Sequence, residues 1–167
     1  GIDSSKEAAR LAARRYPRAF FAVADVWDRV PVAGRSLDVL LDIFAPRNPT
    51  EFARVLRPGG LAVVAIPGPS HLLELRHAML LLGIQEGKEG HVREQLAGAF
   101  TLERIVHLGY ELTLDAVDVE ALVRMTPNAF HADRRSLGAT SVSEPIVTRA
   151  GFVLMAFKKV AGPADGW

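Results

Sequence analysis

Apolar residues in this chain fall into short unbroken runs separated by stretches with helical spacing, a pattern that predicts an α/β fold. The runs Phe20 to Ala24, Leu37 to Phe44 and Leu61 to Ile66 are bounded by turn residues and are too short for buried helices, so each predicts a buried parallel strand. Ser4 to Tyr16 predicts a helix: Ser4 stands at the cap, Glu7 follows as a capping box, and Ala8, Leu11, Ala12 and Tyr16 share one face. Asn48, Pro49 and Glu51 open a second helix that buries Phe52, Val55 and Leu56 and stops at Pro58, Gly59 and Gly60. Ser70, after Pro67, Gly68 and Pro69, caps a third helix expected to run to about Leu82. The strands should therefore lie in one parallel sheet with helices on both faces.

Beyond Gly83 the pattern weakens. A loop or a short exposed helix is expected around Lys88 to Leu96, a strand over Thr101 to Leu114, a helix over Asp115 to Met125 with Val119, Leu122 and Val123 inward, and a closing strand over Phe152 to Phe157. One domain over residues 1–160 with a disordered tail over 161–167 is the simplest organisation for 167 residues.

Composition narrows the function classes. With 20 basic and 19 acidic residues the net charge is +1, so any nucleic-acid contact must be local. Arg10, Arg14, Arg15 and Arg18 form one local basic strip, for which a solvated helix face is the simpler reading. The absence of cysteine removes disulfides, thiolate metal sites and cysteine nucleophiles, and fits a reducing, cytoplasmic setting. Arg76 and His77 interrupt the one candidate membrane run, so no membrane partner is expected. His71, Glu74 and His77 stand at three-residue steps, but five scattered histidines without cysteine do not make a metal site, and none is expected. Ser141 and Ser143 lack the His and Asp pattern of a nucleophilic triad.

In an open parallel sheet, ligands bind beyond the carboxyl ends of the strands, which selects Asp3, Asp25, Ala45 with Pro46, and Pro67 to His71. An acid in the position of Asp3 can take both ribose hydroxyls of a nucleoside cofactor, or simply start the following helix. Asp25 with Val26 or Trp27 can hold an adenine, or form a turn. Asp42 interrupts an apolar strand, so it points into a polar pocket or pairs with an arginine.

The stretch LRPGGLAVVAI, together with GIDSSKEAARLAARRYP, AVADVWDRVPV, LDIFAPRNPTEFARVLRPGG, PGPSHLLEL and KEGHVREQL, resembles the bacterial 23S rRNA (guanine-N1)-methyltransferases. The resemblance is to the actinobacterial branch that includes macrolide-resistance enzymes, and runs from Gly1 to about Lys159. It implies a class I, Rossmann-like fold that uses S-adenosylmethionine to methylate N1 of a guanine in 23S rRNA, working as a homodimer. It also implies that Asp3 binds the cofactor ribose, that Asp25 and Val26 bind its adenine, and that His71 lies at the cofactor. Phe44, Ala45 and Pro46 would border the target base, with Asp42 and His71 as candidates for the base that removes the N1 proton.

Family members carry an N-terminal zinc module, then a first strand and a glycine-rich loop; these are missing here, and the chain reads as part of something longer. The expectation is weak cofactor binding and no rRNA methylation by these 167 residues alone, with unpaired strand edges. The alternatives are a small-molecule methyltransferase, an NAD-dependent oxidoreductase, which would also place an acid after its second strand, and a non-catalytic remnant serving as an interaction module.

Overall fold

The computed structural model describes residues 1–78, 87–125 and 145–160, except for the side chains of 123–125. The expected tail, Ser141 with Ser143, and the far end of the third predicted helix lie outside the described residues. The elements are β1 (Ile2–Asp3), α1 (Lys6–Arg15), β2 (Ala22–Val23), β3 (Leu37–Ile43), α2 (Pro49–Val55), β4 (Leu56–Pro67), α3 (Leu73–Ala78), α4 (Lys88–Leu96), β5 (Phe100–Leu114), α5 (Ala116–Met125) and β6 (Ile146–Lys159). They divide into two compact units, unit 1 comprising 1–65, 89–105 and 155–167, and unit 2 comprising 66–88 and 106–154.

Two sheets are present among the described residues: β1 pairs with β2, and the larger sheet has the order β3-β4-β6-β5. Both β1 with β2 and β3 with β4 are parallel, as expected. The larger sheet is mixed, a correction to the all-parallel expectation. Ala99 O receives Val160 N–H, while Gly109 O receives the Arg149 guanidinium further along β5, so β5 and β6 run in opposite directions. β3 is an edge strand.

Local chemistry explains α2 closely. Asn48 Oδ1 accepts from Glu51 N–H at 3.2 Å, its amide donates to Val26 O at 3.0 Å, and Pro49 occupies the first turn. Arg54 then grips Glu51 through Nε and Nη2 at 2.7 and 2.8 Å and reaches Val32 O and Val30 O. Glu51 also accepts from Val30 N–H, so one ion pair pins the segment before β3 onto the helix. At the other end Lys159 Nζ donates to the carbonyls of Ala53 and Leu56, where helix carbonyls lack internal partners and a cation is favoured.

The Pro58-Gly59-Gly60 turn is not a gap before the strand. Leu56 already pairs with Leu37, and pairing resumes with Leu61 opposite Val39, so the turn bulges out of a strand that begins five residues early. A Cβ on Gly60 would stand 3.0 Å from Arg57 O and 3.1 Å from Asp38 O, which only glycine avoids.

Other boundaries also differ. Ser5, not Ser4, caps α1 by accepting from Ala8 N–H at 3.2 Å. Leu11 and Tyr16 of the expected buried face are exposed and Ala9 is buried instead, with α1 packed chiefly on the short strands β1 and β2 among the described residues. Ser70 caps nothing: the chain turns through His71 N–H to Gly68 O, Leu72 takes a positive φ of 50°, and α3 begins at Leu73. α4 is not an exposed helix, because Val92 and Leu96 are fully buried one turn apart. β6 extends over 14 residues where only its middle was expected. In unit 2, Leu75, Leu114 and Val119 form a small core joined by Leu72, Leu112, Leu122 and Ile146.

No helix among the described residues is long and apolar enough to cross a membrane.

Arg54 and its backbone contacts hold the Glu51 carboxyl below its usual range. A depressed carboxylate stabilises the fold above its ordinary pKa of about 4.5 and loses that contribution as the pH falls through the lower, folded value. Glu51→Ala should therefore lower the thermal midpoint by several degrees at pH 7, and by less near pH 3, in circular-dichroism melts.

Candidate functional site

Unit 1 contains a cavity of about 440 Å³ walled by Gly1, Ile2 of β1, Val39 to Asp42 of β3, the loop residues Val26, Ala45 and Pro46, and Phe52 of α2. Four residues selected from the sequence, Val26, Asp42, Ala45 and Pro46, thus meet around one space. The walls are mainly apolar, and the volume lies within the roughly 300–1,000 Å³ typical of small-molecule sites. The cavity lies along the edge of β3 that has no strand partner among the described residues.

Asp42 is the polar exception in that wall. It is 3% exposed, accepts from Ala45 N–H through Oδ1 at 3.2 Å, and stands 3.7 Å from Arg47 Nη1 through Oδ2. Oδ2 has no hydrogen bond among the described residues despite its burial. Burial pushes the Asp42 carboxyl up to about 6, against the opposing pull of the Arg47 charge and the Ala45 hydrogen bond. Of the two sequence options the arginine pairing is seen, while the cavity that Asp42 borders is apolar rather than polar.

Arg47 was not singled out in the sequence. Its Nε donates to Gln95 Oε1 at 2.9 Å and its Nη1 lies 3.3 Å from Ala45 O, which braces the loop behind Asp42. The arginine in FAPRNP, five residues after the aspartate, was the available signal.

Asp3 and Asp25 both form turns. Asp3 Oδ1 accepts from Ser5 N–H at 2.7 Å and Asp25 Oδ1 from Trp27 N–H at 2.9 Å, each leaving Oδ2 without a hydrogen bond among the described residues. Both side chains are exposed, and neither lines the cavity. The Val26 carbonyl is held by Asn48. Phe44 is 53% exposed, adopts a positive φ of 53° and does not line the cavity; that backbone conformation is costly for a bulky residue and turns the chain sharply after β3.

His71 belongs to unit 2. Its Nδ1 accepts from Gly151 N–H at 3.3 Å and its ring lies 5.1 Å from that of Phe152. A donor on Nδ1 places the neutral ring's proton on Nε2. Burial holds His71 below its ordinary pKa, and the charges of Arg76 and Lys88 act in the same direction. Glu74 accepts the Thr148 hydroxyl at 2.7 Å, which ties α3 to β6.

No protein-family model matches the chain. It is 45% identical over 132 residues to the 23S rRNA (guanine(748)-N(1))-methyltransferase of Streptomyces fradiae, covering 79% of this chain and 47% of that protein. It is 38% identical over 161 residues to a Micromonospora griseorubida protein named as a candidate 23S rRNA (guanine-N(1)-)-methyltransferase, covering 95% of this chain and 55% of that one. A Bacillus subtilis protein with the same candidate assignment is 36% identical over 143 residues, covering 82% and 49%. The chain thus spans about half the length of these relatives.

Solved structures agree on the fold. A Bacillus halodurans protein described as a candidate methyltransferase superposes with a TM-score of 0.61 at 12% identity, covering 96% of this chain and 82% of that one. The [4+2]-cyclase SpnF also superposes, with a TM-score of 0.53 at 15% identity over 97% of this chain and 66% of that one, so the fold by itself does not specify a reaction.

Raising the Asp42 carboxyl from 3.8 to about 6 means that the folded protein keeps a proton the unfolded chain releases. Stability contributed at this position therefore falls as the pH rises from about 4 through about 6. Asp42→Asn should stabilise the protein by about 2 kcal/mol at pH 7.5 and have little effect at pH 3. Chemical denaturation at the two pH values measures the difference; an equal effect at both would rule out the raised carboxyl.

Proposed function

We propose that this chain, a relative of the bacterial 23S rRNA (guanine-N1)-methyltransferases, forms the larger part of a methyltransferase domain over residues 1–160 that acts on N1 of a guanine in 23S rRNA in the cytoplasm. The observation that carries this reading is the convergence of Val26, Ala45, Pro46 and the buried Asp42 on one apolar cavity. The sequence relationship supplies the reaction class.

The donor set suits S-adenosylmethionine. An apolar wall that includes Val26 accommodates a flat heterocycle, and Oδ2 of Asp3 and of Asp25 can accept from ribose hydroxyls and an adenine amino group. When bound, the cofactor supplies an electrophilic methyl group on a sulfonium. The chain's task is to place a nitrogen in line with that methyl, exclude water and accept the proton N1 must lose.

Asp42 suits the last task better than His71 does. Its Oδ2 is buried without a hydrogen bond, and a carboxyl with a pKa of about 6 is mostly charged at pH 7 yet more basic than an ordinary carboxylate. His71 has Nδ1 occupied by Gly151 N–H and its proton on Nε2, so it is equipped to donate. We assign His71 to cofactor binding as a donor. Ala45 and Pro46, which line the cavity with Asp42, are assigned to the target base, as is the exposed Phe44 that precedes them in the chain.

In the full-length protein, transfer of labelled methyl from S-adenosylmethionine to 23S rRNA, with N1-methylguanine identified by mass spectrometry, tests the reading. Unlabelled rRNA would reject the substrate. Asp42→Asn should lower kcat by about 10²–10³-fold, and the wild-type rate should rise with pH through about 6. An Asn variant with full activity and the same acid limb would remove Asp42 from the chemistry while leaving the substrate assignment standing.

A further inference from the structure

Unit 2 contains a smaller opening of about 180 Å³, where the turn Gly68 to Ser70 meets His107 of β5 and Arg149 and Phe152 of β6. None of the residues that line it is acidic. Its volume is below the roughly 300–1,000 Å³ of sites that enclose a whole small molecule, so it suits a single chemical group.

Three side chains bring hydrogen-bond donors to this space. Arg149 is exposed, and of its five guanidinium N–H groups one meets an acceptor among the described residues, Gly109 O at 3.4 Å, with no carboxylate in ion-pair range. The guanidinium lies against β5, since a Cβ on Gly109 would stand 2.7 Å from Arg149 Nε, and only glycine leaves room for that placement. His107, two residues earlier, shares that face of the strand. Glu111, two residues later, shares it too, but it does not line the opening and makes no ion pair with Arg149 among the described residues. Ser70 is exposed, and its Oγ lies over a second glycine: a Cβ on Gly151 would stand 3.2 Å from it. Neither the Ser70 hydroxyl nor the His107 ring makes a hydrogen bond among the described residues.

The backbone around these donors is fixed. Gly68 N–H donates to Gly151 O at 2.9 Å and Leu72 N–H to Arg149 O at 2.8 Å, so the turn is stitched to the strand that carries Arg149. Arg76 braces the same turn by donating to Pro69 O at 2.9 Å.

A guanidinium, an imidazole and a hydroxyl with no carboxylate among them match a phosphate, whose oxygens accept from all three and carry the charge that Arg149 lacks opposite it. A cation would be repelled by Arg149, and an apolar group would leave the donors without acceptors. We propose that this opening holds one backbone phosphate of the RNA, with Arg149 as the charged clamp and His107 and Ser70 as further donors. The proposal rests on the reading of RNA as substrate and adds positioning residues to it. Ser70 directly precedes His71, so the phosphate would be held one residue along the chain from the side chain assigned to the cofactor.

The test is fluorescence anisotropy of the full-length protein with a labelled RNA hairpin, over a series of salt concentrations, with inorganic phosphate as competitor. Arg149→Ala should weaken binding about tenfold and flatten the slope of log K against log salt by about 0.7, the loss of one single-strand phosphate contact. Arg149→Lys should keep the slope and lose about threefold in affinity, because the charge remains and the planar fork does not. Ser70→Ala should weaken binding about threefold with the slope unchanged. Gly109→Ala, which keeps the charge and displaces the guanidinium, should fall between wild type and Arg149→Ala. Thermal midpoints of the variants report the integrity of the fold.

Wild-type affinity and slope in Arg149→Ala would overturn the proposal while leaving the methyltransferase reading intact. An equal loss in Arg57→Ala, whose arginine belongs to unit 1 and pairs with Asp38, would also overturn it, by reducing the effect to bulk charge. Inorganic phosphate competing with the hairpin at similar affinity would overturn the RNA assignment in favour of a free-phosphate site. No RNA binding by the wild-type protein would overturn the proposal together with the substrate reading.

Discussion

Among the described residues β3 is hydrogen-bonded along one edge, and much of unit 1 follows from that. Its sequence, LDVLLDI, is that of a strand buried on both faces, yet Val39, Leu41 and Ile43 are exposed. β1 and β2 make a separate two-stranded sheet, and α1 rests on it with Leu11 and Tyr16 in solvent. An apolar strand with an unpaired edge is a surface prepared for another strand, because unpaired backbone groups and exposed branched side chains are satisfied together by the same neighbour.

The two openings divide the chemistry. The cavity in unit 1 is apolar around one buried carboxyl, suited to a heterocycle and to proton removal. The opening in unit 2 is smaller and more polar, bordered by His107, Arg149 and Phe152. Arg47 partly offsets the desolvation of Asp42, whereas Arg149 has no ion-paired carboxylate among the described residues.

The sequence was most legible where one local signal dominated. Asn48, Pro49 and Glu51 define the start of α2 through their own hydrogen bonds, and the run at Leu37 to Ile43 defines β3. It was less legible where tertiary contacts decide. α4 is a polar sequence whose Val92 and Leu96 are buried by surroundings the local pattern does not reveal, and Leu72 in a left-handed conformation delays α3 past the serine that would have capped it. Ala45 and Pro46 could be chosen because strand ends in α/β sheets collect ligands, Val26 because it follows an acid so placed, and Asp42 because it interrupts an apolar run. The placement of Arg149 over Gly109 could not be chosen, because two strands far apart in sequence bring them together and neither stands in a motif.

The Lys159 contact bears on how the chain is made. The carbonyls it covers at the end of α2 belong to Ala53 and Leu56, separated from it by 106 and 103 residues. During synthesis α2 must wait with those groups facing water until nearly all of this sequence has left the ribosome, and β4 waits with it for β6. Such long-range closure slows folding and lengthens the time an incomplete sheet is open to wrong partners. A nascent chain stalled before residue 159 should be the form most in need of a chaperone.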